Sequence, residues 1–217
     1  MSTSATLRIT EIFHSLQGEA KTAGLPTVFV RLTGCPLRCQ YCDTTYAFEG
    51  GELIDLPTIE SSVDQYDCRY VTVTGGEPLA QPNCRELLRN LCEAGYQVSL
   101  ETSGALSIED IDDRVSVVLD LKTPGSLESD KNLLENVSLL RSKDQIKFVI
   151  CDRTDYEWSK AKIDQLDLQN KVDEILFSPS FEQLKPAQLA QWVLDDSLRV
   201  RVQLQLHKYI WGSEPGR

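Results

Sequence analysis

Apolar and polar positions along the chain fall into two regimes that change over near residue 70. From there on, short apolar runs at residues 70–74, 97–101, 115–121, 145–150, 174–177 and 198–206 predict strands. Amphipathic stretches between them predict helices over residues 82–94, 131–141, 155–166 and 186–194. The first of these is the clearest, because Leu87, Leu88, Leu91 and Cys92 share one face and Gly95 stops it. Before residue 70 the pattern is looser. Residues 7–13 alternate weakly and lead into Ser15-Leu16-Gln17-Gly18-Glu19, while Pro26 introduces a buried run at 27–32, so the two are expected to form a hairpin. Gly50-Gly51 breaks the chain, and residues 57–66 predict a short helix with Pro57 in its first turn. Strands alternating with helices imply a parallel sheet with right-handed crossovers. The link from residue 101 to 115 is short and only weakly helical, so some crossovers should be loops. The expected class is α/β: an incomplete (β/α) barrel of about six parallel strands with a reduced helical layer and a C-terminal extra strand, since a closed eightfold barrel typically needs about 250 residues. No repeat, low-complexity tract or linker divides the sequence, and residues 1–217 are expected to form one domain.

Composition narrows the partners. With 41% of 217 residues hydrophobic, one sizeable core can be buried. A net charge of −11 without a basic stripe argues against a nucleic-acid partner, because such binding depends on lysine and arginine releasing counterions. Apolar runs are strand-sized, short of the roughly 20 residues a membrane helix requires. The cysteines number seven. Cys68, Cys84, Cys92 and Cys151 show no disulfide-like pairing, and Met1-Ser2-Thr3-Ser4 offers no charged region ahead of an apolar stretch. A soluble cytoplasmic protein is expected.

The other three cysteines carry the chemistry. Cys35-Pro36-Leu37-Arg38-Cys39-Gln40-Tyr41-Cys42 sets thiols at spacings of four and three residues directly after the 27–32 run. Thiolates select zinc, copper(I) or iron–sulfur clusters, and three without a nearby fourth leave a coordination position open. In a cubane cluster that position is one iron, free to take the amino and carboxylate groups of S-adenosylmethionine. The alternatives are a zinc site completed by His14 or His207, and unligated thiols prone to oxidation. Zinc sites usually pair their ligands as two short units, and no second unit exists here. The spacing, Tyr41 before the last thiol and the post-strand position resemble the radical S-adenosylmethionine superfamily. This resemblance implies Cys35, Cys39 and Cys42 as ligands of a [4Fe–4S] cluster and cofactors that carry radical chemistry.

Polar, glycine-bearing turns close the following strands. Thr74-Gly75-Gly76-Glu77-Pro78 resembles the superfamily's second motif, whose backbone holds the methionine amino group; glycines there let the backbone approach a ligand. Glu101-Thr102-Ser103-Gly104 is either a neighbour of the methionyl carboxylate or ribose, through Glu101 and Ser103, or an ordinary turn. Asp120-Leu121-Lys122-Thr123-Pro124 offers Lys122 to the same carboxylate, against the default of a solvated lysine. Ser178-Pro179-Ser180 can reach the adenosine or be a proline turn. All lie at carboxyl ends of strands, the side on which α/β sheets place ligands.

Ahead of the cysteines, Phe13-His14-Ser15-Leu16-Gln17-Gly18-Glu19-Ala20 and Arg31 supply an amide, a carboxylate and a guanidinium. A strand arginine needs a partner, either Glu19 internally or the carboxylate of a small ligand, with Gln17 and Glu19 then reading the donor and acceptor edge of a heterocycle. Together with Cys42-Asp43-Thr44 and Gln205-Leu206-His207-Lys208-Tyr209, these segments resemble the 7-carboxy-7-deazaguanine synthase family over nearly the whole chain. The resemblance implies a radical ring contraction of 6-carboxy-5,6,7,8-tetrahydropterin to 7-carboxy-7-deazaguanine with loss of ammonia, on the route to queuosine. It implies pterin contacts from Leu16, Gln17, Gly18, Glu19, Arg31, Thr74 and His207. Cofactor contacts would come from Tyr41, Cys42, Asp43, Gly76, Asp120, Leu121, Lys122 and Ser178, and a magnesium ligand from Thr44, a hard oxygen for a hard ion. A homodimer and an external electron donor such as a flavodoxin are further family expectations. Ala20 stands where the family commonly has glycine, which matters only if that position has positive φ. Trp211 to Arg217 continues past the motif with which some members end, making the terminal carboxylate of Arg217 a candidate substrate contact. His207 also reads as a core histidine on the last strand. Two other functions fit parts of the sequence: a radical activase of a glycyl radical enzyme, which needs an open face for a macromolecule, and a zinc- or cluster-bearing interaction module without catalysis.

Overall fold

Val28, Val30 and Leu32 are fully buried in β2 (Pro26–Leu32), the strand at which the sheet changes direction. On one side it pairs antiparallel with β1 (Thr6–Leu16), forming the expected hairpin, and on the other it runs parallel to β4 (Tyr70–Gly75). The computed structural model describes residues 5–212, 214 and 216. β3 (Glu52–Asp55) pairs antiparallel with the far edge of β1. β5 (Gln97–Thr102), β6 (Ser116–Asp120), β7 (Gln145–Ile150), β8 (Glu174–Pro179) and the two-residue β9 (Arg201–Val202) continue the parallel run. The result is one nine-stranded sheet in the order β3-β1-β2-β4-β5-β6-β7-β8-β9, with β3 and β9 at its edges. It is the expected incomplete barrel, and it does not close.

Four crossover helices cover the outer face: α1 (Leu56–Asp64), α2 (Cys84–Glu93), α3 (Arg153–Gln165) and α4 (Pro186–Asp195). α1 starts where the Asp55 carboxylate accepts from the Thr58 N–H at 3.0 Å, with Pro57 in the first turn. Its Leu56, Ile59 and Val63 recur at helical spacing and are buried against the sheet. Further along, Phe148 of β7 and Tyr156 of α3 meet Phe177 of β8 edge-on, with centroids 5.5 and 5.8 Å away. Among the described residues no helix is long and apolar enough to cross a membrane.

Three segments differ from expectation. Residues 131–141 are not an α-helix but 3₁₀ turns at Ser129–Lys131 and Leu134–Leu139. The cause is Asn136, whose buried amide donates to Gly104 O at 3.2 Å and Leu106 O at 2.9 Å and accepts from the Ile108 N–H at 3.1 Å. That side chain ties a neighbouring loop in place at the expense of a regular helical ladder. The run at 198–206 shrinks to β9, and the chain then turns into α5 (Leu206–Trp211), so His207 lies on a helix and not on the last strand. Leu206 N–H donates to Gly18 O at 3.0 Å and draws this segment toward the loop after β1. β3 was not expected, because Glu52-Leu53-Ile54-Asp55 lacks a buried face: Leu53 is 64% exposed.

Candidate active site

The carboxyl ends of the parallel strands and the C-terminal helix surround one cavity of about 270 Å³. Cys35, Cys39 and Cys42 line it from the loop after β2, all partly exposed and free of disulfides. The loop is held by its own arginine: the Arg38 guanidinium donates to Cys35 O at 2.8 Å and Leu37 O at 2.7 Å and lies 4.3 Å over the Phe48 ring. Gln40 N–H is anchored on Ser126 O at 3.2 Å. Burial pushes all three thiols up, Cys39 to about 11. The Lys122 charge opposes this only in part, so the further positive charge that would stabilise thiolates has to come from what binds there. Among the described residues no three His, Cys, Asp or Glu side chains surround a point fit for a single ion, as a mononuclear zinc site requires. His14 is exposed and stacks on Tyr66 at 5.4 Å, outside the cavity lining.

The Gly-Gly-Glu-Pro turn lies directly on the cysteine loop. A Cβ at Gly76 would come within 2.2 Å of Gly34 O and 3.0 Å of Cys35 Cβ, so only glycine lets the end of β4 sit there. Glu77 N–H donates to Gly34 O at 2.7 Å and completes the join. The Glu77 side chain is fully buried and accepts from Thr102 Oγ1 at 2.9 Å, Ser103 N–H at 2.7 Å, Ser103 Oγ at 2.5 Å and Leu79 N–H at 2.9 Å. It braces the ends of β4 and β5, and the Ser103 hydroxyl is engaged in that brace although it borders the cavity.

Across the cavity floor runs a row of charges. Lys122 is buried, not solvated, and pairs with Asp120 Oδ2 at 2.9 Å. Lys147 of β7 lies 3.5 Å from the same oxygen and donates to Glu19 Oε2 at 2.8 Å. Burial alone would raise Glu19; the Lys147 charge and hydrogen bond outweigh it and hold the carboxyl below its ordinary value. Glu101 goes the other way, raised by burial and by the Glu19 charge beside it. Its carboxylate accepts from Thr74 Oγ1 at 2.9 Å and Gln17 Nε2 at 3.2 Å, so it sits with residues expected around the pterin and not with those expected around the cofactor. Arg31 pairs with Glu11, not with Glu19: Nε donates to Glu11 Oε1 at 2.7 Å, and Tyr46 OH donates to the same oxygen at 2.8 Å. Its guanidinium carbon lies 5.6 Å from the Phe13 centroid and 5.8 Å from that of Tyr46. Phe13 stacks on Phe29 at 4.9 Å to make an aromatic wall.

Leu16, Gly18, Thr44 and Ser178 also line the cavity. A Cβ at Gly18 would meet His207 Nδ1 at 2.2 Å, which shows how closely α5 covers this loop. Gln205 ties the loop to the cysteines, donating to Glu19 Oε1 at 3.0 Å and Asp43 Oδ2 at 3.1 Å. Asp43 also accepts from Thr44 Oγ1 at 2.8 Å, with Lys208 Nζ 3.6 Å away. Ala20 does adopt a positive φ of 61°, a strain of about 1–2 kcal/mol that burial of its methyl partly offsets. Leu121 does not join the site: its side chain is fully buried in the core and only its neighbours reach the cavity. Arg217 lies outside the described residues. Two buried oxygens on the cavity side, Tyr41 OH and Asp120 Oδ1, lack a hydrogen-bond partner among the described residues. Lys147 and Glu11 were not anticipated, and Gln205 only as the first residue of the C-terminal motif. The strand register exposes the signal for Glu11, which stands opposite Arg31 across β1 and β2.

Residues 29–127 match the radical SAM superfamily. A 7-carboxy-7-deazaguanine synthase of Chlorobaculum tepidum is 44% identical over 99% of this chain and 98% of its own. One from Koribacter versatilis is 42% identical over 96% of this chain and 98% of its own. In fold the chain is similar to the crystal structure of QueE from Escherichia coli, with a TM-score of 0.75 at 22% identity, covering 92% of this chain and 94% of that one. On this identity over nearly the full length, the chain belongs to the 7-carboxy-7-deazaguanine synthase family of radical S-adenosylmethionine lyases.

Proposed function

We propose that the protein converts 6-carboxy-5,6,7,8-tetrahydropterin to 7-carboxy-7-deazaguanine with loss of ammonia, toward queuosine and related deazapurines. What carries this assignment is the joining, in one cavity, of three free thiols with Gln17, Glu19, Arg31, Glu101 and His207. A cavity of about 270 Å³ suits small molecules more than a segment of a macromolecule.

The residues present fit the family's cofactors. Cys35, Cys39 and Cys42 would hold a [4Fe–4S] cluster, their thiols being free and lining one cavity. The Gly76 backbone at the cavity, packed on the cysteine loop, and the unpartnered Tyr41 OH and Asp120 Oδ1 are suited to S-adenosylmethionine, with Asp43, Lys122 and Ser178 alongside. When bound, the two supply a one-electron cleavage of the sulfonium and a radical able to abstract hydrogen. Thr44 Oγ1 would serve magnesium, which prefers oxygen ligands and keeps waters. Arg31, its Nε edge fixed by Glu11, would present its remaining N–H groups to the pterin carboxylate. Gln17 and Glu19 would read the ring edge against the Phe13 wall. Glu101, raised by burial and by Glu19, is the lining carboxyl most disposed to hold a proton for the departing amine. An electron donor such as a flavodoxin, a homodimeric state and a reducing cytoplasmic setting complete the proposal; the seven free thiols support the last.

The carboxylate is the feature to test. Anaerobic titration of the cluster-loaded protein, kept oxidised, should give an affinity for 6-carboxytetrahydropterin on the order of 100-fold above that for tetrahydropterin lacking the carboxylate. Equal affinities would contradict the assignment.

A further inference from the structure

Lys147 is the hub of a buried charge cluster to which no role attaches. It faces Asp120 in register across β6 and β7, and its side chain is 15% exposed. The ammonium donates to Glu19 Oε2 at 2.8 Å and approaches Asp120 Oδ2 to 3.5 Å. Asp120 has a second cation in Lys122 at 2.9 Å. Glu19 forms no other ion pair among the described residues; its remaining partners are the neutral amides of Gln205 at 3.0 Å and Gln203 at 3.5 Å. The other titratable groups facing it are the Glu101 and Asp43 carboxyls and the His207 imidazole.

A carboxylate withdrawn from water is costly unless it is paired. Two carboxyls meet in this cavity, and one ammonium sets them apart: the one it touches is lowered and its neighbour is raised. An ionised carboxylate offers about four acceptor positions. Lys147 and Gln203 both take Oε2, while Gln205 takes a single position on Oε1, which leaves acceptor capacity at Oε1.

We propose that Lys147 is a positioning residue of this site: bridging β6 and the loop after β1, it holds the Glu19 carboxylate as a fixed, charged acceptor for an N–H donor edge of the heterocyclic substrate. This rests on the pterin assignment above. Lys147 need not touch the substrate, and its effect is transmitted through Glu19.

The test follows the Glu19 carboxylate by infrared difference spectroscopy in cluster-loaded protein made with ¹³C-glutamate, titrated from about pH 5 to about pH 9. Glu19→Gln identifies the band. In the wild type the band should stay ionised throughout, whereas in Lys147→Met it should protonate inside that window. With the cluster oxidised, so that nothing turns over, affinity of Lys147→Met for 6-carboxytetrahydropterin should fall by up to about tenfold for each pH unit below the new midpoint. Lys147→Arg should restore the flat profile, and Glu19→Gln with Lys147→Met should abolish the pH dependence. Lys147→Gln serves in the same way if Lys147→Met does not fold. A Glu19 band that stays ionised across the window in Lys147→Met, or a loss of affinity equal at every pH, overturns the inference. The infrared titration needs no substrate. A wild-type protein that ignores the pterin would overturn the assignment of function while the infrared result still decides the role of Lys147.

Discussion

Replacing Gly76 by alanine probes the join between the end of β4 and the cysteine loop with a single methyl. The new Cβ would stand 2.2 Å from Gly34 O, 2.6 Å from Gly34 C and 3.0 Å from Cys35 Cβ. Ordinary contact begins at 3.4 Å, so the two backbones must part by about an ångström. No flexible side chain can absorb that motion, since the nearest atoms are backbone. Separation stretches the hydrogen bonds from Glu77 N–H to Gly34 O at 2.7 Å and from Gly76 N–H to Leu32 O at 3.1 Å. Overpacking costs about 1–3 kcal/mol and each of the two weakened hydrogen bonds about 0.5–1.5, giving about 2–6 kcal/mol in total. For a chain of this size that lowers the melting temperature by roughly 4–24 °C. Because Cys35 moves with Gly34, iron incorporation and S-adenosylmethionine affinity should fall as well. Thermal unfolding of the metal-free protein, followed by iron and sulfide content and cofactor titration after reconstitution, measures all three. A Gly76→Ala protein that melts within about 1 °C of wild type and binds the cofactor normally would refute the packing described for this turn.

Glu77→Gln places an amide donor among four donors that now share a carboxylate, and should cost about 2–3 kcal/mol, read from the denaturant midpoint. An unchanged midpoint would contradict the bracing role. Arg31→Ala should weaken pterin binding by on the order of 100-fold while leaving S-adenosylmethionine affinity near wild type. Equal losses for both ligands would place Arg31 in the wrong half of the cavity. His207 is lowered below 6.5 by burial, with Glu19 and Asp43 opposing only in part. The folded protein thus binds its proton less tightly than the unfolded chain, so stability is complete above the unfolded value and declines as pH falls through it toward the lower folded value. Melting temperature should drop between about pH 7.5 and pH 5.5, and His207→Gln should flatten that decline; parallel profiles for the two proteins would be the contrary result.

The parallel strands are legible in the sequence because both their faces are covered, which makes each a short continuous apolar run. β3 is not, since its order comes from the partner strand β1 and not from a buried face of its own. Residues 131–141 carry a helical pattern that one buried amide, Asn136, overrides through three bonds to a distant loop. The thiol loop and the Gly-Gly-Glu-Pro turn announce themselves because their chemistry is local in the chain. Lys147 and Glu11 do not. Each is a lone charged residue in a strand, where solvent exposure is the default reading. Only the register, Glu11 opposite Arg31 and Asp120 opposite Lys147, shows the partners they take. The pairing of Arg31 with Glu11 instead of Glu19 follows from the same register, shifted by an irregularity between Ile9 and Glu11 that spacing alone does not reveal.

The most direct test of the account is anaerobic turnover. Reconstituted protein is supplied with S-adenosylmethionine, a reductant, magnesium and 6-carboxytetrahydropterin, and the products are resolved by mass spectrometry. Formation of 7-carboxy-7-deazaguanine together with ammonia is the predicted result. Accumulation of 5′-deoxyadenosine with the pterin left intact would preserve the radical site and contradict the assigned substrate.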